Sequence, residues 1–214
     1  MPTLHGVIAS PFVRKVRVAL AEKKVAYDLN PVFPGAQDET FRKLSPLGKV
    51  PAFEEGAGKG FSDSSVILLY LEKKHPQPAL LPGDPYEYAR ALWFEEYADS
   101  AVVSVFGPKI FAERVLAKRF FNREPDLAAA DKAVKEEVPP ICAYLEGQLA
   151  GDYLAGNQFS LGDIGVCSQF VNLFFAGVQI DTKAFPKLAR YVARVHERPS
   201  FKSCIAEEKA LFGF

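Results

Sequence analysis

The chain has little of what would build a metal centre, a disulfide framework or a nucleic-acid surface. Its 214 residues include only three cysteines and three histidines. Cys142, Cys167 and Cys204 show no Cys-x-x-Cys or metal-ligand spacing, and an odd count argues against paired bridges. Cys142 and Cys167 sit in apolar helical contexts, so inert core thiols are expected. His5, His75 and His196 are widely spaced and form no ligand pattern, so no metal is expected. Excess charge of either sign is missing as well. Twenty-six basic and 26 acidic residues cancel to a formal net charge of zero, which removes the net-charge case for nucleic acid. No apolar run approaches the ~18 residues that cross a bilayer. No charged start leads into a long apolar stretch as in a signal peptide. A soluble, cytoplasmic protein without a membrane or nucleic-acid partner is the expectation. Internal repeats and low-complexity segments are absent too.

What the chain does have is apolar mass, at 49% hydrophobic residues with 18 phenylalanines. That suffices for one large domain or two small ones. Residues 3–8 are short and apolar enough for a first strand. Ser10-Pro11-Phe12 then starts a helix, with serine as cap and proline at the first helical position. Val13, Val16, Ala19 and Leu20 share one face, while Arg14, Lys15, Arg17 and Glu22 to Lys24 populate the other. Arg14 and Arg17 therefore read as solvated charges. Val25, Tyr27 and Leu29 alternate with Ala26, Asp28 and Asn30 as a second strand, and a short helix is expected around 39–44.

Residues 45–67 then organise the half-chain. Pro46 and Gly48 break structure, and Val50-Pro51 leads into the alternation Ala52-Phe53-Glu54-Glu55. Gly56, Gly58 and Gly60 supply turn chemistry for a hairpin back to Phe61. Asp63-Ser64 precede the apolar run Val66, Ile67, Leu69, Tyr70, a helix start with good cap residues. The order is β-α-β-α-β-β-α, which requires a mixed sheet carrying helices, with a right-handed first crossover.

Four prolines and a glycine fall within residues 76–85, which reads as an interdomain linker. Beyond it only helical patterns appear. One long helix is expected over 86–119 with a kink at Gly107-Pro108, and a second over 126–149, bent or divided at Pro139-Pro140. Ser160 with Asp163 three residues on makes a capping-box-like pair ahead of an apolar run to Ala176, which marks a buried central helix. Phe159 and Ile164 flank that cap as a hydrophobic staple would. Two further helices cover 185–195 and 199–209.

The 45–67 stretch places complementary recognition devices side by side. A helix N-terminus offers free N–H groups to a carboxylate, with the Ser64 hydroxyl beside it. Asp63 suits an ammonium group, and Lys49 suits a second carboxylate. An unpaired backbone at Val50 could add a short peptide as a strand. A small peptide with one ammonium and two carboxylates fits that set.

On these residues the chain resembles the cytosolic glutathione S-transferases, which carry a Val-Pro signature with a cis proline and an acidic-Ser helix start. The Ser160-x-x-Asp163 cap of the second half is similar to the family's as well. The subclass is open between bacterial and tau- or theta-like Ser-type groups. The resemblance implies an α/β thioredoxin-like domain with a four-stranded mixed sheet over 1–77, a linker over 78–85 and an all-helical domain over 86–214. It implies that Val50, beside Pro51, bonds the cysteinyl backbone, that Asp63 and Ser64 hold the γ-glutamyl end, and that Lys49 holds the glycyl carboxylate.

The family activates the thiol with a Tyr, Ser or Cys near the end of the first strand. No cysteine precedes Cys142 and the first tyrosine is Tyr27, so Ser10 takes that role by resemblance. Read alone, Ser10 is a helix cap. Phe12 is a candidate glutathione contact, and Phe12, Phe106, Ile110 and Phe111 are candidates for an apolar wall against the electrophile, although such aromatics are more often core. Glutathione is then a cosubstrate and a homodimer is expected. Isomerase, peroxidase or dehalogenase chemistry on the same site stays open, as does a binding or regulatory module without turnover. A thioredoxin-type reductase is disfavoured by the absent early Cys-x-x-Cys.

Overall fold

A computed structural model describes residues 1–56 and 58–213. Ala57, in the expected hairpin turn, and Phe214, the end of the expected second domain, lie outside the described residues. The chain forms two compact units, one of residues 1–81 with 198–214 and one of residues 82–197.

The first unit opens with β1 (Thr3–His5), α1 (Pro11–Glu22), β2 (Asp28–Asn30), α2 (Glu39–Leu44), β3 (Ala52–Glu54), β4 (Gly60–Ser62) and α3 (Ser64–Lys74). The sheet order is β2-β1-β3-β4, with β1 parallel to β2 and the other neighbours antiparallel. This is the expected thioredoxin-like mixed sheet. The strands are shorter than the alternation suggested: β1 ends at His5, before Gly6 with φ +150°, and β2 covers only three exposed residues. Phe53 lies between Leu4 and Phe61 in register, and Phe53 and Phe61 meet Tyr70 of α3 at ring distances of 6.1 and 4.9 Å. His5, on the opposite face of the sheet, meets Phe41 of α2 at 6.3 Å. The sheet is thus covered by α3 on one face and α2 on the other.

The second unit is helical. A continuous run starts with α4 (Pro85–Tyr97), passes through π-helical turns at Ala98–Val102, α5 (Val103–Val105) and a second π segment at Phe106–Leu116, and ends in α6 (Ala117–Arg119). Gly107-Pro108 lies inside the second π segment. Proline has no N–H for the i−4 carbonyl, and the widened turns absorb that gap without ending the run. The 126–149 pattern is divided, as Pro139-Pro140 requires, into α7 (Leu127–Glu136) and α8 (Val138–Gln148). The central helix α9 (Leu161–Phe175) packs on α4, where a Cβ on Gly162 would lie 2.8 Å from the Ala91 carbonyl oxygen. The expected capping pair is formed: Asp163 Oδ2 accepts from both Ser160 N–H and Ser160 Oγ–H at 2.8 Å. Asp163 Oδ1 accepts from Leu154 N–H at 3.0 Å and Tyr191 O–H at 2.8 Å. Burial pushes the Asp163 carboxyl up, and those donors pull it back in part.

After α10 (Pro186–His196) comes α11 (Pro199–Phe212). The expected boundaries assigned α11 to the helical domain, whereas it clusters with the first unit and packs on α1. Ion pairs join the two helices, and α11 also buries Phe201, Cys204 and Phe212. Arg14 and Arg17, expected to be solvated, are buried. Arg14 Nε donates to Glu208 Oε1 and Oε2 of α11 at 2.8 and 3.0 Å, with Nη2 on Oε2 as well. Arg17 bonds Tyr27 Oη at 2.9 Å and pairs with Glu207. No helix among the described residues is long and apolar enough to cross a membrane. The three cysteines are free and buried, and burial pushes the Cys142 thiol up to about 12.

Candidate functional site

The strand register gathers the sequence candidates at one end of the first unit's sheet. His5 pairs with Ala52, and Ala52 pairs with Ser62. Those pairs mark the C-terminal end of β1, the N-terminal end of β3 and the C-terminal end of β4. Ser10 follows the first, Val50-Pro51 precede the second, and Asp63-Ser64 follow the third. Gly6 lies between the first two: a Cβ there would lie 2.5 Å from Val13 Cγ2 of α1 and 3.2 Å from Val50 Cβ. Its φ of +150° and the lack of a side chain let α1 and the Val50 segment approach β1 closely.

Each segment presents unused main-chain groups. The Val50–Pro51 peptide is cis, and no hydrogen bond among the described residues engages the Val50 main chain. Asp63 has φ +82°, a region that a side chain other than glycine rarely occupies, and it is exposed. Its Oδ1 accepts from Ser65 and Val66 N–H at 3.0 and 3.1 Å, and its carbonyl accepts from Ile67 N–H at 3.0 Å. The Ser64 N–H carries no hydrogen bond among the described residues, so it is the first-turn donor left for a ligand. At α1, Ser10 caps the helix by accepting from Val13 N–H at 3.4 Å. Pro11 has no N–H, and that of Phe12 has no partner among the described residues.

Two helix N-termini thus point positive ends at one edge of the sheet. Lys49, exposed on the loop before Val50, adds a full positive charge. Ser45 Oγ–H fixes that loop by donating to the Lys49 carbonyl at 2.7 Å. The arrangement can hold a short peptide by its backbone, take a carboxylate at each of two places, and offer Asp63 to an ammonium group. A thiol placed by Ser10 would meet a hydroxyl and a helix N-terminus.

Phe106 and Ile110 belong to the second unit. Both are fully buried, and Phe106 stands edge-on to Phe170 of α9 at 5.3 Å. Phe111 is buried as well. All three pack in the core of the second unit. Sequence reasoning also missed Arg42 and Lys23, whose partners are main-chain carbonyls and a glutamate that carry no local signal.

The fold, one thioredoxin-like unit and one helical unit, defines a class, and comparison with known proteins narrows it. Residues 4–79 match the family described as "Glutathione S-transferase, N-terminal domain", and residues 97–199 match "Glutathione S-transferase, C-terminal domain". Glutathione S-transferase Z2 of Arabidopsis thaliana is 31% identical over 211 residues, covering 96% of this chain and 91% of that protein. Probable maleylacetoacetate isomerase 1 of Drosophila melanogaster is 28% identical over 208 residues, covering 94% of this chain and 80% of that protein. The crystal structure of a theta class glutathione S-transferase from Xanthomonas axonopodis pv. citri, with glutathione bound, superposes with a TM-score of 0.82. It has 28% identity and covers 95% of this chain and 96% of that one. The chain belongs to the glutathione S-transferase family.

Proposed function

We propose that the chain is a glutathione transferase that binds glutathione at the sheet end formed by β1, β3 and β4 and presents its thiolate to an apolar electrophile. The observation that carries this reading is the convergence of Ser10, Val50-Pro51 and Asp63-Ser64 through the strand register. Val50 pairs with the cysteinyl backbone beside the cis Pro51. The Ser64 N–H and hydroxyl take the γ-glutamyl carboxylate, Asp63 its ammonium group, and Lys49 the glycyl carboxylate. The Phe12 N–H lies next to Ser10 on the thiol side.

Ser10 acts as a donor and not as a nucleophile. A free thiol of pKa ~8.5 is only a few per cent ionised at neutral pH, and lowering it by about two units corresponds to roughly 2.7 kcal/mol. A charge-assisted hydrogen bond from the hydroxyl contributes about 1.5–3 kcal/mol. The N-terminus of α1 adds ~0.3–1 kcal/mol. Capping Val13 uses an oxygen lone pair, which leaves the Ser10 O–H to point at sulfur. No general base is required.

The chain acts in the cytoplasm as a homodimer in this reading. An exposed tryptophan on the helical unit supports the second copy: Trp93 is 51% exposed and donates to Tyr144 Oη at 2.7 Å, with Tyr97 beside both, and these two tyrosines are half-buried. A relative named for maleylacetoacetate isomerisation favours, as second reading, a glutathione-dependent isomerase on the same site. Product analysis separates the two.

Calorimetric titration with glutathione tests the site. Saturable binding by the wild-type chain, weakened at least about tenfold in Asp63→Ala, is the expected result. Equal affinity in the variant would remove Asp63 from the site, and no binding at millimolar glutathione would overturn the reading.

A further inference from the structure

The loop that carries Lys49 is built around one guanidinium. Residues 31–38 enter α2 and residues 45–50 leave it, and proline and glycine in both arms leave few main-chain hydrogen bonds to hold them. Arg42, on α2, spans the two arms. Its Nε donates to the Ala36 carbonyl at 3.0 Å, its Nη1 to the Pro46 carbonyl at 2.9 Å, and its Nη2 to Gln37 Oε1 at 3.3 Å. Gly48 lies directly against the same group: with φ at +65°, a Cβ there would sit 2.8 Å from Arg42 Cζ. Gly48 in turn ties the arms together, since its carbonyl accepts from Gly35 N–H at 2.8 Å. Ser45 Oγ–H then donates to the next carbonyl along, that of Lys49, at 2.7 Å.

A lysine on an unbraced loop loses both main-chain and side-chain freedom when it captures a carboxylate. Here the main-chain part is already fixed, and Arg42 bridges the two arms alongside the Gly35–Gly48 and Ser45–Lys49 bonds. We propose that Arg42 is a positioning residue for the glycyl-carboxylate end of the glutathione site, acting through the 45–49 turn on Lys49. The inference rests on the function proposed above. Arg42 itself spends its donors on the loop and does not touch the peptide. Lysine cannot replace it, because an ammonium group is a point donor and cannot fork across carbonyls on two arms.

The test compares glutathione with γ-glutamylcysteine, which lacks the glycyl residue, in wild-type, Arg42→Ala and Arg42→Lys proteins. The wild-type chain should bind glutathione more tightly than the dipeptide. Both variants should lose about tenfold in glutathione affinity, with KM for glutathione rising in step. Dipeptide affinity and kcat at saturating glutathione should stay at wild-type values. A merely structural role would weaken both ligands alike, so equal losses would overturn the inference, as would no loss for either. Failure of the wild-type chain to bind glutathione would overturn the proposed function and this inference with it. Gly48→Ala, which forces a Cβ onto the guanidinium, should reproduce the Arg42→Ala pattern, and wild-type behaviour would count against the brace.

Discussion

At α1 a run of cations is drawn into the interior of the first unit because each finds an acceptor there. Arg14 makes a forked contact with Glu208 in which both side chains have no exposed surface. Burial pushes the Glu208 carboxyl up, and Arg14 pulls it back part of the way. Lys23 Nζ donates to the carbonyls of His75 and Pro78 at 2.6 and 2.9 Å and pairs with Glu72 at 2.7 Å. Glu72 meanwhile accepts from Leu80 N–H at 3.0 Å, so one lysine pins the start of the proline-rich segment. Arg14→Met should destabilise the unit by about 3–5 kcal/mol, because it leaves a buried carboxylate unpaired, while Arg14→Met with Glu208→Leu should recover most of the loss. Chemical denaturation of both variants checks this, and an additive double mutant would contradict it. None of this was legible locally. Helical periodicity sorted Arg14, Arg17 and Lys23 onto a polar face, and their partners lie on other elements, in two cases nearly the whole chain away. The signals that were legible are those closed within a few residues: Ser10 and Asp63 as caps, and the Val50-Pro51 entry to the hairpin.

Among the elements, local chemistry decided the ends of helices better than their allegiance. The Ser160–Asp163 pair was readable because both residues act on one helical turn, yet its buried partners Leu154 and Tyr191 come from outside that turn. The 86–119 pattern was readable as one run, while the π-helical widening at Gly107-Pro108 was not, since proline signals a break without saying how it is absorbed. The placement of α11 could not be read, because its own pattern fits any helical layer. The start of α11 is tied to α1 by Glu22, which accepts from Arg198 at 2.8 and 2.9 Å and from Ser200 Oγ–H at 2.5 Å. Burial pushes the Glu22 carboxyl up, but the bonds from Arg198 and Ser200 outweigh it and hold it below its ordinary value. A depressed carboxylate stabilises the fold above its unfolded pKa, about 4.3, and the stabilisation is lost as pH falls through the folded value. Amide protection at 199–206 should therefore drop below about pH 4 relative to pH 7, and Glu22→Gln should show less of that pH dependence. Glu208, with its raised carboxyl, acts with the opposite sign, which is why the Glu22 variant is needed to isolate the effect. Identical pH dependence in wild-type and variant would exclude Glu22 as the cause.

At the scale of the molecule, the family match over both halves places the chain among the glutathione S-transferases, and the proposed glutathione site falls on its thioredoxin-like unit. The sheet order, the hairpin and the two capped helices explain why Ser10, Val50 and Asp63 emerge at one end without any pairwise contact among them being encoded locally. The central claim is that this end ionises the thiol of bound glutathione through Ser10. The most direct measurement is the ultraviolet absorbance of the thiolate across pH, at saturating glutathione, for wild-type and Ser10→Ala proteins. A bound-thiol pKa about two units below the free value of ~8.5 in the wild-type chain, returning most of the way in Ser10→Ala with turnover falling in parallel, is the result expected. An unshifted thiol in the wild-type chain, or a shift that survives the loss of the hydroxyl, would contradict it.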